Sequence, residues 1–369
     1  MSAGRERIFG LDVLRAAAIL LVVFWHSYDA ITYLAPGFST PFFLDGVDLF
    51  FALSGYLIGG ILLGVVRKPG LSWWQRLSGF WQRRFFRTLP NYYLFLLVNI
   101  VLLAMGIGKG LLNHNALAYF AFLQNVWKPF DLFFWESWSL VVEVWFYVLF
   151  PLTLFFLIGA MKLSVRWSFT LAVILFMVFP VLVRHAMAAD IATIFQQELT
   201  VRKLVITRID TIVFGVAAAL AQVAFPGPWH RLRWPLFALG ITGMVLAPSF
   251  YGPEHLRYSI NWYYSLNALS MALLLPLMAA WRTVPVGGVV ITWVSMTSYA
   301  LFLVHLPVRS LLEPYYDPAL PIGGWLQLAI YWTLCLVLAW LVYRWYEKPM
   351  MDLRDRFGPR RSKAVTPSS

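Results

Sequence analysis

Long apolar runs recur along the whole chain and constrain its fold more than any other feature. A transmembrane α-helix needs about 20 consecutive, mostly apolar residues, and the chain contains about ten such runs. Of its 369 residues, 60% are hydrophobic and only 12% are charged, whereas a soluble domain carries about 25% charged residues. An aqueous core could not bury this excess, so the sequence predicts an all-α, polytopic membrane protein.

The predicted helices are joined by short loops. They lie near residues 11–33, 44–66, 89–108, 135–160, 166–184, 208–225, 231–250, 264–281, 291–312 and 324–344. Most of the 29 lysines and arginines fall in loops on one side, which places both termini in the cytoplasm by the positive-inside rule. Residues 1–350 are expected to form the transmembrane domain and residues 351–369 a short basic cytoplasmic tail. No soluble domain is expected, and the first run, which contains Asp12 and Arg15, is read as a retained helix rather than a signal peptide.

Charge and cysteine content exclude several classes of protein. The net charge of +12 is carried by short loops between apolar runs, so we expect contact with membrane lipid and not with nucleic acid. The single cysteine, Cys335, lies in an apolar run. One cysteine cannot form an intrachain disulfide or a cysteine-clustered metal site, and we expect no metal cofactor.

The first apolar run contains three ionisable residues, Asp12, Arg15 and His26. A charge near the bilayer centre costs about 2.5 kcal/mol or more, so such side chains face a protein interior or a wet cavity. At about 100° per residue, Arg15 and His26 return to within roughly 20° of one helix face, about 16 Å apart. This spacing indicates a cation and an imidazole along one path through the bundle. In the alternative, Asp12 and Arg15 form an interfacial ion pair and His26 is structural.

Two arginines before the third run, Arg84 and Arg87, share a helix face. Arginine binds phosphate through two parallel hydrogen bonds, so this pair could hold a phosphorylated cofactor. The alternative is an ordinary basic anchor that touches lipid headgroups.

Acidic residues and a second histidine occur inside later runs. Glu143 lies in the fourth predicted helix, Asp210 in the sixth and His305 in the ninth. A carboxylate in such a place needs a partner, for instance His26, whereas His305 alone is more typical of a structural residue. Arginines on the cytoplasmic side, with histidine and carboxylates toward the outside, suit a protein that takes a group from a cytoplasmic phosphorylated donor and uses it beyond the membrane.

Seven short motifs follow one another along these runs. They contain Arg15 and His26; Asp48, Ser54 and Gly55; Arg84, Arg87, Pro90 and Tyr92; Trp138, Ser139 and Glu143; Arg208, Asp210 and Gly215; Ser298, Tyr299 and His305; and Glu347 and Pro349. In this order the motifs resemble those of the acyltransferase-3 superfamily of bacterial membrane O-acyltransferases. The chain departs from the common pattern at Glu136, where many members have histidine, and at Val144, where many have a second glutamate.

The resemblance implies an acyl-CoA donor, usually acetyl-CoA, bound from the cytoplasm, and an acceptor hydroxyl on an extracytoplasmic glycan or lipid-linked glycan. It implies a bacterial cytoplasmic (inner) membrane location. The resemblance also implies that the CoA phosphates are held by Arg84 and Arg87, together with Arg15. His26 is expected to act as the general base, supported by Glu143 or Asp210. The further candidates for the site are Asp12, Asp48, Ser139, Tyr299, His305 and Glu347.

Two other functions remain compatible with the residues. Embedded Asp, Arg and His also build proton relays, so the chain could be a transporter or flippase, although it shows no inverted repeat of the kind many transporters contain. It could also be a non-catalytic partner in polysaccharide assembly.

Overall fold

The structure is a computed structural model that describes residues 7–34, 44–108, 110, 116–129, 133–315 and 321–357. Within these ranges the regular elements are all helical, which confirms the predicted all-α class. In chain order the helices are α1 (Phe9–Leu34), α2 (Gly46–Val66), α3 (Trp73–Ala104), α4 (Ala116–Phe120), α5 (Ser137–Gly159), α6 (Val165–Met187), α7 (Ile194–Gln197), α8 (Val205–Ala224), α9 (Pro226–Arg231), α10 (Arg233–Ser249), α11 (Leu256–Asn261), α12 (Tyr263–Ala272), α13 (Leu275–Met278), α14 (Gly288–Leu312), α15 (Pro321–Val342) and α16 (Lys348–Phe357). Short π-helical turns follow α7, at Glu198–Arg202, and α15, at Tyr343–Glu347.

The described helices make this a multi-pass membrane protein. Eight of them are long and apolar enough to cross a membrane, and α10 with Pro253–Asn261 would make a ninth span, although this pair is bent by 100°. The apolar stretch Tyr263–Met278 is shorter and breaks between α12 and α13. Each predicted run therefore falls on a helix, but two of the predicted spans are bent or short.

The third helix begins earlier than its apolar run. The Ser72 hydroxyl accepts a hydrogen bond from the Gln75 backbone N–H (3.2 Å), and the Gln75 side chain accepts one from the Ser72 backbone N–H (2.9 Å). This capping box starts α3 at Trp73 rather than near residue 89. Arg84 and Arg87 consequently lie inside α3 and not in a loop before it.

Close packing of α2 against α8 depends on two glycines. A Cβ added at Gly55 would lie 1.8 Å from the Ile212 carbonyl oxygen, and one at Gly215 would lie 2.0 Å from the Ala52 carbonyl oxygen. Small residues of this kind let membrane helices approach backbone to backbone. The contact fixes α2, which supplies one wall of the site described below.

The bundle has two polar ends, which we name by residues of α1 and its N-terminal approach. The Arg7 end contains Arg7, Asp12 and Glu347, and the His26 end contains His26 and Arg309. The basic tail predicted for residues 351–369 begins within α16, and residues 358–369 lie outside the described part of the chain. The domain boundary at residue 350 and the cytoplasmic position of the termini stay predictions.

Candidate active site

A narrow cavity lies inside the bundle, between α1, α2, α3, α5 and α14. Its volume is about 100 Å³, which suits a slender chain rather than a compact ligand. Along α2 its wall runs from Val47 to Leu57, a helix length of about 15 Å. It is lined by these sequence-predicted residues: Arg15, Arg84, Arg87, Ser139, Glu143 and Tyr299.

Glu143 contributes a carboxylate to this narrow cavity. Its Oε1 accepts a hydrogen bond from the Ser54 hydroxyl at an O–O distance of 2.6 Å, which is typical of a charge-assisted bond. Tyr147, one turn further along α5, interacts with the same carboxylate. The sequence predicts Glu143 as a partner of His26, but the partners of the carboxylate are Ser54 and Tyr147.

Arg84 and Arg87 project from α3 into the narrow cavity. The Arg84 guanidinium lies over the rings of Phe80 (6.0 Å) and Tyr147 (5.9 Å). Within the described ranges neither arginine forms a hydrogen bond or an ion pair with another protein group. Arginines without a protein partner beside a cavity leave their forked donors available to an anionic ligand.

A wide cavity opens at the Arg7 end of the bundle. Its volume is about 540 Å³, within the range of about 300–1,000 Å³ common for ligand pockets. Arg15, Leu57 and Arg87 line both cavities, so the narrow cavity continues inward from the wide one. Two basic side chains therefore stand where the two cavities meet.

Asp12 and Arg15 are linked at this junction. Asp12 accepts two hydrogen bonds from Arg7 (2.7 and 3.0 Å) and one from the Ser295 hydroxyl of α14 (2.7 Å). Arg15 lies 3.8 Å from the Asp12 carboxylate and 3.5 Å from the Ser295 hydroxyl. Because Arg7 takes both oxygens of Asp12 at short range, Arg15 is only weakly paired and keeps donors for the cavities.

His26 lies on the same side of α1 as Arg15, because its ring contacts His305 of α14 with ring centroids 4.8 Å apart. The Nδ1 atom of His26 is 2.8 Å from the Val22 carbonyl oxygen, and Arg309 donates a 2.6 Å hydrogen bond to the His26 carbonyl oxygen. A carbonyl oxygen can only accept, so Nδ1 carries the proton and Nε2 keeps its lone pair. Arg15 likewise contacts α14, at Ser295, so the two side chains share a face of α1 as predicted, but His26 does not line the path predicted with it.

His26 does not line the narrow cavity itself. The rings of Phe50 and Phe302, 6.4 Å apart, belong to the cavity wall, and the Phe302 ring lies 5.8 Å from that of His305. The imidazole of His305 lies in turn against His26. The cavity therefore ends behind Phe302, and the histidine pair lies just beyond it.

Three further candidates make hydrogen bonds that fix the walls. The Tyr299 hydroxyl donates to the Thr88 carbonyl of α3 (2.8 Å), and Asn91 donates to the buried Glu347 carboxylate (2.9 Å). The Ser139 hydroxyl donates to the carbonyl of Glu136, the residue just before α5 (3.3 Å). Tyr299 and Asn91 thereby link α3 to α14 and to the turn at Tyr343–Glu347.

Asp48 and Asp210 belong to two fully buried ion pairs rather than to the histidine site. Arg184 donates to both oxygens of Asp210 (2.9 and 3.2 Å), and Ser265 of α12 donates to the same carboxylate (2.6 Å). Arg208 pairs with Asp48, which also accepts a 2.9 Å bond from Asn267 of α12. Asp210 was expected as a possible support for His26, but its carboxylate is taken up by Arg184 and Ser265, which tie α8 to α6 and α12.

A second charged cluster lies at the His26 end. Glu198 pairs with Arg202 (2.7 Å) and Lys203 (2.8 Å), and Arg202 also pairs with Asp45 (2.8 Å). Burial alone would raise the pKa of Glu198, but the two cations outweigh it and lower that pKa to about 2. Burial lowers the pKa of Lys203 to about 8, and its ammonium lies 3.2 Å from the centroid of the Trp135 ring.

Sequence reasoning did not identify several residues that shape this site. It gave no role at the site to Arg7, Arg184, Arg309 or Phe302. Arg184 ends an apolar run and Arg309 follows Pro307 within one, so an embedded cation was the available signal. Phe302 carried no signal, because one phenylalanine among 30 is indistinguishable from core.

The fold and site define an α-helical, multi-pass membrane protein with a basic cavity that continues along the bundle interior toward a histidine pair. The profile of the Acyltransferase domain family matches residues 8–344. The chain therefore belongs to this family of acyltransferase domains.

The similar proteins found among curated sequences are named as O-acetyltransferases. The chain is 26% identical over 371 residues to a candidate O-acetyltransferase of Staphylococcus aureus, a match that covers 92% of this chain and 56% of the relative. It is 27% identical over 380 residues to the peptidoglycan O-acetyltransferase OatA of Listeria monocytogenes, covering 94% and 56%. It is 27% identical over 384 residues to YrhL, a candidate peptidoglycan O-acetyltransferase of Bacillus subtilis, covering 95% and 56%. The chain thus spans little more than half the length of these relatives, and no solved structure matches it.

Proposed function

We propose that the chain transfers an acyl group, most simply acetyl, from acyl-CoA to a hydroxyl of a carbohydrate on the far side of the bacterial cytoplasmic membrane. One observation carries the proposal: the weakly paired or unpaired arginines Arg15, Arg84 and Arg87 line cavities that lead from the Arg7 end toward His26. Family membership supports the transfer chemistry, and the names of the relatives support a glycan acceptor.

The donor would enter at the Arg7 end, which is the predicted cytoplasmic end by the distribution of basic loops. The wide cavity suits a nucleotide head, and Arg84, Arg87 and Arg15 would bind its phosphates through charge-assisted hydrogen bonds. The narrow cavity would take the slender pantetheine arm. Its length of about 15 Å along α2 would carry the thioester from the arginines to the level of Phe302.

His26 would act as the general base on the acceptor hydroxyl. Its Nδ1 bond to the Val22 carbonyl leaves Nε2 as the basic atom, and imidazole suits proton transfer near neutral pH. The acceptor oxygen would attack the acyl carbon, its proton would pass to Nε2, and the C–S bond would break. Glu143 would serve the reaction from the cavity wall, where it balances the arginine charges, and not through contact with His26.

The acceptor would be a hydroxyl of an extracytoplasmic glycan. Two of the relatives are named for peptidoglycan, which makes an N-acetylglucosamine oligomer a suitable soluble probe. Exopolysaccharide, O-antigen and lipid-linked glycans share the same hydroxyl chemistry.

The test uses the purified full chain in detergent with radiolabelled acetyl-CoA and chitopentaose. The wild type is expected to release CoA thiol and to move label to sugar or water. His26→Ala should lower this rate by at least 100-fold, the scale of general acid–base catalysis, while acetyl-CoA binding persists. His185→Ala, at an exposed histidine of α6, is the matched control and should behave as the wild type.

The contrary results are equally definite. If the wild type releases no thiol but moves acetyl-CoA or glycan into proteoliposomes, the protein is a transporter and not an enzyme. Full activity of His26→Ala would remove His26 from the mechanism.

A further inference from the structure

The imidazole of His305 is fully buried and makes no well-formed hydrogen bond. The residue is 0% exposed. Backbone groups of Leu301 and Phe302 on the same helix act on the ring, but neither Nδ1 nor Nε2 reaches any described residue in good hydrogen-bond geometry. The ring of His26 lies against it at 62° with centroids 4.8 Å apart. His305 is thus held in van der Waals contact with the proposed base, and neither of its nitrogens has a strong hydrogen-bond partner.

A buried polar group whose hydrogen bonds are poorly formed costs free energy, because it gives up water and receives little in exchange. Native proteins keep few such groups, and those they keep commonly serve a reaction or bind a ligand. A residue needed only for packing at this position could be apolar. An imidazole here is therefore best explained by proton transfer, since each nitrogen can accept a proton on one side and release one on the other.

His305 also lies between the end of the narrow cavity, where the thioester would arrive, and His26, the proposed base. Phe302, one turn earlier on α14, lines the narrow cavity, and its ring lies 5.8 Å from that of His305. The contacts therefore run from the end of the cavity through Phe302 to His305 and then to His26. A thioester that reaches the end of the cavity would have its sulfur beside Phe302, on the side of His305 away from His26, and a rotation of the Phe302 ring would bring the sulfur to His305.

The charged groups near the pair are Arg309 and a cluster in which Arg202 and Lys203 pair with Glu198 and Asp45. Arg309 of α14 donates to the His26 carbonyl, and Arg202 and Lys203 act on His26 from the segment before α8. Positive charges on these sides disfavour a lasting imidazolium. A proton taken by His26 should therefore pass on quickly rather than rest there.

We propose that His305 relays the proton from His26 to the departing sulfur of the donor. This inference rests on the proposed acyl transfer. The acceptor O–H proton goes to Nε2 of His26, a C–O bond forms at the acyl carbon, and the C–S bond breaks. His26 gives its proton to one nitrogen of His305, whose other nitrogen protonates the thiolate, so that the products are ester and free CoA thiol. Both imidazoles end the step neutral, with His305 in its other tautomer, which must revert before the next turnover.

The test compares His305→Asn and His305→Gln with the wild type in detergent. The amide side chains of both variants can form hydrogen bonds, but unlike an imidazole they cannot accept a proton at one nitrogen and release one from another. CoA thiol release with chitopentaose, which counts transfer to sugar and to water alike, gives kcat and KM, and calorimetry gives the Kd of acetyl-CoA. We expect kcat to fall on the order of 100-fold or more, with the Kd unchanged within about twofold. The deficit should grow as pH rises, because the sulfur must then take its proton from solvent.

Thr297→Val is the matched control on α14. Thr297 is buried, and its hydroxyl bonds only to carbonyls of its own helix, at Trp293 and Val294. It should leave kcat and KM unchanged.

Three outcomes would overturn the relay. The first is a kcat within twofold of the wild type in either amide variant. The second is a deficit independent of pH, and the third is an equal loss of acetyl-CoA affinity, which would make His305 a packing residue. A wild type that releases no thiol would instead refute the proposed acyl transfer, so the two failures are distinguishable.

Discussion

The hydroxyl of Ser54 on α2 donates a 2.6 Å hydrogen bond to the carboxylate of Glu143 on α5. This bond joins two helices that line the narrow cavity, and it gives a hydrogen-bond donor to a carboxylate that lies near Arg84. Ser54→Ala would leave that oxygen without its donor, so we expect a loss of about 1–3 kcal/mol in unfolding free energy. Thermal unfolding in detergent measures it. Ser298→Ala is the control, since the Ser298 hydroxyl returns to a carbonyl of its own helix (2.9 Å), and equal melting temperatures for both variants would contradict the prediction.

Charge at the junction of the cavities should govern donor affinity. Arg87→Glu is expected to weaken acetyl-CoA binding by about 10-fold or more, because one charge-assisted bond contributes about 1.5–3 kcal/mol. The Kd from calorimetry should rise, and the wild-type Kd should rise with salt. Arg83→Glu is the matched control, since Arg83 belongs to the same stretch of α3 but lines neither cavity. A similar loss in both variants would indicate a general effect of surface charge.

Asp210 and Arg184 form a buried pair whose removal should act on stability. Asp210→Ala leaves a guanidinium buried without its carboxylate, at a cost of about 3–5 kcal/mol. The double variant Asp210→Leu with Arg184→Met removes both charges and should recover most of the stability. The melting temperature and the rate of thiol release together show whether the pair stabilises the fold or takes part in the reaction. A stable double variant without activity would mean that Asp210 takes part in the reaction.

The sequence predicts the parts of this site that follow from helix period, and not those that follow from how helices meet. Arg15 and His26 share a face because one continuous helix carries both. The contact of His26 with His305 depends on the packing of α1 against α14, which spacing cannot show. Asp210 looked like a possible partner for His26 because a buried acid needs a cation, and the cation it found was Arg184. The apolar runs likewise predicted where the helices lie. They did not predict where α3 begins, because the capping box at Ser72 and Gln75 extends that helix beyond its apolar run.

The Glu198 cluster should make stability depend on acid pH. With its pKa lowered from 4.5 to about 2 by Arg202 and Lys203 against the opposing effect of burial, ionised Glu198 stabilises the fold above about pH 4.5. As pH falls from there toward 2, the unfolded chain binds the proton first and this contribution disappears. The melting-temperature difference between wild type and Glu198→Gln should therefore be largest near pH 7 and shrink by pH 3. A difference that stays constant over this range would contradict the prediction.

Leu57 stands where the wide cavity meets the narrow one and lines both. If the donor's arm passes this point, Leu57→Trp should obstruct it, because the indole adds bulk in a passage of only about 100 Å³. The nucleotide head would still reach Arg15 and Arg87, which line the wide cavity, so we expect free CoA to bind within a few-fold of the wild type while acetyl transfer falls at least 10-fold. Leu97→Trp, at a side chain of α3 that is 54% exposed, controls for the added indole and should leave both quantities unchanged. Undiminished transfer by Leu57→Trp would mean that the thioester reaches the histidine pair by another route, and the cavity along α2 would lose its place in the mechanism.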